Sequence, residues 1–142
     1  MPHPLMFDER DPYLGRLRDL CTALPACVEK VAHGRPTFRA GEKGRVFVYY
    51  GGSVKQSAGP HERHDHALII KPDPGEAQAL EDDPRFWVPA YLGPAGWRGI
   101  DLDDAALDWT EVAELVDASY RQVAGPRLVA ELDAGDGSST PR

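Results

Sequence analysis

The sequence predicts an α+β fold, a five-stranded antiparallel meander sheet with an N-terminal and a C-terminal helix packed on one face. Three observations predict it. Apolar residues recur at helical spacing near each end, from Leu14 to Leu24 and from Trp109 to Val123. Between these stretches the period falls to two, in short segments bounded by glycine and proline. Strands do not alternate with helices as a parallel sheet requires.

The elements follow in order. Asp11-Pro12 reads as an N-cap and a first helical residue, and Leu14, Leu17, Leu20, Cys21 and Leu24 form one apolar face. Pro25 stops that helix. Cys27–His33 is a strand, and Thr37–Ala40 with Arg45–Tyr50 make a hairpin around Gly41-Glu42-Lys43-Gly44, whose glycines suit positive φ. A polar loop, 51–60, leads to a fourth strand over His66–Lys71. Pro72-Asp73-Pro74-Gly75 breaks it, and a short helix spans Glu76–Asp82. The segment 83–96, with Pro84, Pro89 and Pro94, reads as irregular. Trp97–Leu102 is the fifth strand. Asp108 caps the last helix, with Glu111 placed for a capping box, and Gly125-Pro126 ends it. The expected organisation is a partly flexible segment over 1–10, one domain over 11–132 and a small, polar, flexible tail over 133–142.

Composition narrows the function classes. At 142 residues the chain can bury one core without metals or disulfides. No apolar run reaches the ~20 residues needed to span a bilayer. The first residues lack the charged start and apolar core of a secretion signal, so the cytoplasm is the expected compartment. Cys21 and Cys27 fit neither a redox nor a zinc spacing and read as reduced thiols. Net charge is −7, unevenly spread. Residues 30–71 hold eight Lys/Arg and three acids, whereas residues 72–142 hold five Lys/Arg and fifteen acids. A basic hairpin region thus sits beside an acidic C-terminal half. Arginine outnumbers lysine twelve to four and asparagine is absent, the bias of a GC-rich bacterial genome, so the arginines alone do not argue for nucleic acid.

Four stretches carry a family resemblance: the hairpin GRPTFRAGEKGRVFVYY, the strand HALIIKP, the aromatic-and-proline segment PRFWVPAYLGPAGWRGIDL, and the closing helix DWTEVAELVDASYRQVAG with Ser119-Tyr120 near its end. In this order and spacing the chain resembles the MmcQ/YjbR family over roughly residues 10–130. The resemblance implies a meander-sheet fold of a kind also seen in secretion chaperones. It also implies the label DNA-binding, given to such proteins on the idea of a double-wing motif. It implies no settled activity and no catalytic residues. The chain departs from the family pattern at Pro60–His66, where its histidines are individual.

The candidate sites follow from side-chain chemistry. Arg35, Arg39, Lys43 and Arg45 are threaded among Phe47 and Tyr49, and cations that neutralise phosphate beside rings that stack on bases are what a nucleic-acid contact needs. By alternation Arg45, Phe47 and Tyr49 share one side of a strand. Against this, Phe47 and Tyr49 would serve a second apolar layer and the arginines would be solvated edge charges, and an acidic chain is not a dedicated nucleic-acid binder. The sheet face away from the helices offers a homodimer or chaperone-like partner a surface through Phe47, Tyr49, Ile69 and Trp97, unless the segment 83–96 folds over it. His61, His64 and His66 are imidazoles placed for a zinc, nickel or copper ion, or else exposed residues of a polar loop. Asp101, Asp103, Asp104 and Asp108 lack a calcium-loop pattern and suit a strand exit and a helix N-terminus. Phosphate loop, dinucleotide fingerprint and nucleophile elbow are all missing, and Cys27 and His33 stand about 20 Å apart along a strand. The expectation is a binding domain without a cofactor rather than an enzyme.

Overall fold

A computed structural model describes residues 4–139. Helix α1 (Pro12–Thr22) starts where Asp11 accepts a hydrogen bond from the Tyr13 amide at 2.9 Å, with Pro12 in the first turn. Strands β1 (Cys27–Ala32), β2 (Arg35–Ala40), β3 (Val46–Val54) and β4 (Glu62–Ile70) follow. A 3₁₀ turn at Pro74–Glu76 enters α2 (Ala77–Glu81), and β5 (Phe86–Trp87), β6 (Arg98–Asp101), α3 (Trp109–Val123) and α4 (Pro126–Ser139) complete the chain.

The sheet has six strands rather than five, in the order β1-β2-β3-β4-β6-β5, and every neighbouring pair is antiparallel. The five expected strands keep their meander order. The additional strand, β5, is two residues long and lies in the proline-spaced segment read as irregular. Two residues carry no periodicity, so only the pairing of Phe86 with Ile100 and Trp87 with Gly99 reveals it. β3 runs into the stretch read as a polar loop, past a bulge between Tyr50 and Gly52, and β4 starts at Glu62, four residues before the strand expected at His66.

Two helix ends differ from expectation. Asp108 caps α3 through the Thr110 amide at 2.8 Å, but Glu111 does not close a capping box. Its carboxylate instead accepts two hydrogen bonds from the Arg85 guanidinium, at 2.9 and 2.7 Å. Gly125-Pro126 ends α3 and at once opens α4, because proline suits a first helical turn as well as a stop. α4 is helical through Ser139, over residues expected as the start of a flexible tail. The outer ends of both expected flexible segments, 1–3 and 140–142, lie outside the described residues.

One core joins both predicted helices to one face of the sheet. Leu14, Leu17 and Cys21 of α1 and Val112, Val116 and Tyr120 of α3 meet Phe38, Val48, Tyr50, Leu68, Ile70 and Ile100. Each large apolar side chain buried there contributes roughly 1.5–3 kcal/mol. Ser119 pins α3 to two strands: its hydroxyl donates to the Phe47 carbonyl at 2.5 Å and accepts from the Lys71 amide at 2.9 Å.

The opposite face carries a cross-strand row, Thr37, Tyr49, Ile69, Gly99 and Trp87. The Trp87 indole lies flat against Gly99, where a Cβ would meet ring carbons at 2.6–2.7 Å. After Trp87 the chain crosses this face, and the Ala90 amide donates to the Ser53 carbonyl at 2.8 Å. Of the two alternatives for this face, open or covered by the segment 83–96, the structure has a partial roof, and what remains of the face is a groove.

Candidate nucleic-acid interface

The structure divides the six predicted hairpin residues. Phe47, expected beside Tyr49, is fully buried on the helix face, its ring edge-on to Tyr120 at 5.1 Å. The physical reason is a bulge. Phe38 pairs with Val48 and Arg39 with Val46, so Phe47 is the extra residue and turns inward. Arg35 is also drawn inward. Its Nη2 pairs with Asp65 Oδ1 at 3.0 Å with only 12% of the side chain exposed. Burial alone would raise the Asp65 carboxyl, but hydrogen bonds from Arg63 and Arg35 hold it below the usual carboxylate range. Arg35 thus serves an internal ion pair, and its buried Nη1 has no acceptor.

Arg39, Arg45 and Tyr49 remain together. Tyr49 is half-buried and its ring meets Trp97 edge-on, with centroids 5.0 Å apart. Burial pushes the Tyr49 phenol up, and the Arg39 charge offsets only part of this, so the ring stays neutral at pH 7. Tyr49 and Trp97 line a cleft of about 330 Å³ with Arg45, Lys71 and the α3 residues Gln122 and Val123. Arg39 stands across from Val46 at its edge, and Lys43 is exposed in the hairpin turn. Lys71 and Gln122 escaped the sequence reading. Lys71 closes an apolar strand, and only the register that sets Tyr49 opposite Ile69 brings it to the hairpin.

Ion pairing divides the cations. Arg18, Lys30, Arg35, Arg63, Arg85, Arg98 and Arg121 all have carboxylate partners. Among the described residues, Arg39, Arg45 and Lys71 form no ion pair, nor do Arg10, Arg16, Lys43, Lys55 and Arg127, but these three gather around Tyr49 and Trp97. They present uncompensated charge next to an aromatic pair, a combination that attracts phosphate-bearing ligands. A cleft of about 480 Å³ between α2 and α3 has the opposite character, with Asp73, Glu76, Glu111 and Glu114 around it, and would repel the same ligands.

A second cavity adjoins the cationic cleft. A groove of about 510 Å³ lies under the crossing segment 89–92, and Tyr49 lines both spaces. Ile69, Gly52 and Thr37 belong to its sheet side, Pro36 and Ala32 to its β1–β2 side. Tyr91 stands at its rim, 87% exposed.

The family model described as YjbR matches residues 22–122. The chain belongs to the YjbR family. The crystal structure of the Deinococcus radiodurans protein DR2400, with a domain described as DUF419, is similar to this YjbR chain at a TM-score of 0.62 and 22% identity. The likeness covers 84% of this chain and 87% of that one, and at this identity it shows the shared fold alone. No curated protein matches the chain.

Within this YjbR domain the three candidate metal ligands part company. His61 lies against the Tyr91 ring at 5.6 Å. His64 stacks on Trp87 at 4.2 Å, with Nδ1 2.8 Å from Asp101 Oδ1 and Nε2 3.3 Å from Glu62 Oε1. His66 turns the other way, with Nδ1 2.8 Å from Asp11 Oδ2. Among the described residues no three His, Cys, Asp or Glu side chains are grouped to hold a metal ion. The acidic run is likewise spread over separate tasks: Asp101 binds His64, Asp104 accepts from the Ala106 amide at 2.8 Å, and Asp108 caps α3. No described helix is long and apolar enough to cross a membrane.

Proposed function

We propose that this YjbR-family domain binds nucleic acid at the end of its sheet where Arg39, Arg45 and Lys71 flank Tyr49 and Trp97. The observation that carries the reading is the gathering of these three cations, without a carboxylate partner among the described residues, around the Tyr49–Trp97 pair. Unpaired charge beside a neutral aromatic ring supports phosphate neutralisation combined with base contact. Of the residues read from the hairpin, Arg39, Arg45, Tyr49 and the exposed Lys43 remain in this role. Arg35 and Phe47 leave it, and Lys71 and Trp97 join it.

Fluorescence anisotropy with a labelled twelve-nucleotide strand tests the reading. Three neutralised phosphates give a salt slope of about −2, so binding weakens roughly 15-fold between 50 and 200 mM salt. Arg39→Ala with Arg45→Ala should weaken binding at 50 mM salt by about tenfold or more and flatten the slope. Failure to bind at 50 mM salt, or binding indifferent to the double substitution, refutes it.

A further inference from the structure

The cationic cleft does not explain the groove beside it. Tyr49 is a common wall, with Arg45 and Lys71 on one side of it and the 510 Å³ space beneath residues 89–92 on the other. We propose that this groove takes one unpaired base of a bound strand, so that the domain selects single-stranded over duplex nucleic acid. The inference rests on the nucleic-acid reading above and deepens it.

Three features argue for a base. The first is size and lining. The volume falls within the ~300–1,000 Å³ of small-molecule sites, and Ile69, Pro36, Pro89 and Leu92 offer apolar surfaces against which a flat ring packs. The second is the roof. The Ala90–Ser53 hydrogen bond holds the crossing segment over the sheet, so the space admits a splayed-out base and excludes the edge of a stacked pair. The third is adjoining charge. Phosphates held on Arg45 and Lys71 would leave an attached base at the Tyr49 wall that the two spaces share.

The test compares three probes at 50 mM salt on the full chain: a twelve-residue oligothymidine, a duplex of the same length, and a twelve-residue abasic strand. Oligothymidine should bind at least tenfold more tightly than either of the others. Ala90→Trp, which fills the groove from its roof, should abolish that preference and leave the abasic affinity and its salt slope unchanged. Amide shift mapping on the unsubstituted protein gives a second readout that does not depend on the variant folding. Oligothymidine should move Thr37, Gly52 and Ile69, and the abasic strand should not. Equal affinity for oligothymidine and the abasic strand, or shifts confined to Arg45, Lys71 and Trp97, overturns the base site while the charge-based reading stands. No binding by any probe removes both.

Discussion

Asp11 is where one residue does most for the fold. Its carboxylate caps α1 through the Tyr13 amide and also takes hydrogen bonds from the Tyr50 hydroxyl and from His66 Nδ1, joining the first helix to β3 and β4. Burial opposes the charge, but the bonds from Tyr50, His66 and Tyr13 hold the carboxyl below its ordinary range. Burial and the Asp11 hydrogen bond push the Tyr50 phenol far up. The signs give two limits of stability. The Asp11 contribution is present above the unfolded carboxyl pKa near 4 and is lost as pH falls through the lower folded value. The Tyr50 contribution is present below the unfolded phenol pKa near 10 and is lost as pH rises above it. Asp11→Ala removes a cap and leaves two groups without their acceptor, so about 3 kcal/mol should be lost at pH 7. Urea titrations at pH 7 and pH 3 check this. The gap between wild type and variant should narrow at pH 3, and an unchanged gap would deny Asp11 this role.

At the scale of elements, the short β5 strand and its crossing segment decide what the sheet face offers. They stay in place because Gly99 lets the Trp87 ring lie on the backbone of β6, and because His64 stacks on that indole. Gly99→Ala puts a methyl group where the ring now sits. It should cost about 1–3 kcal/mol by overpacking and displace the segment from the face. A red-shifted tryptophan emission and faster amide exchange at Ala90, with α3 amides unaffected, are the expected signs. Protection at Ala90 equal to wild type would mean that Trp87 does not anchor the roof. Because the roof forms one side of the groove, the same variant should lose the preference for oligothymidine.

Across the whole molecule, charges are divided between holding the fold and facing outward. Arg85 grips Asp83 and Glu111 with bonds of 2.7–3.2 Å, tying the start of β5 to α3, whereas Arg39 and Arg45 grip no carboxylate among the described residues. Thermal and urea unfolding should separate the two groups. Arg85→Met should lose about 1–2 kcal/mol, and Arg39→Ala with Arg45→Ala less than about 1 kcal/mol. A large loss from the double variant would make those arginines structural and weaken the binding proposal. Sequence alone determined the two long helices, their caps at Asp11 and Asp108, and the antiparallel order of five strands, because hydrophobic period and capping chemistry are local. It also located the basic segment and the aromatic residues around it. It missed β5, which is too short to have a period, and α4, whose opening proline reads equally as a stop. Only tertiary structure decided which side chains share a surface. One bulge sends Phe47 into the core, one ion pair removes Arg35, and the register between β3 and β4 brings Lys71 to Tyr49. Alternation along a strand assumes regular pairing, and a single extra residue in one strand reverses every side chain's face from that point on.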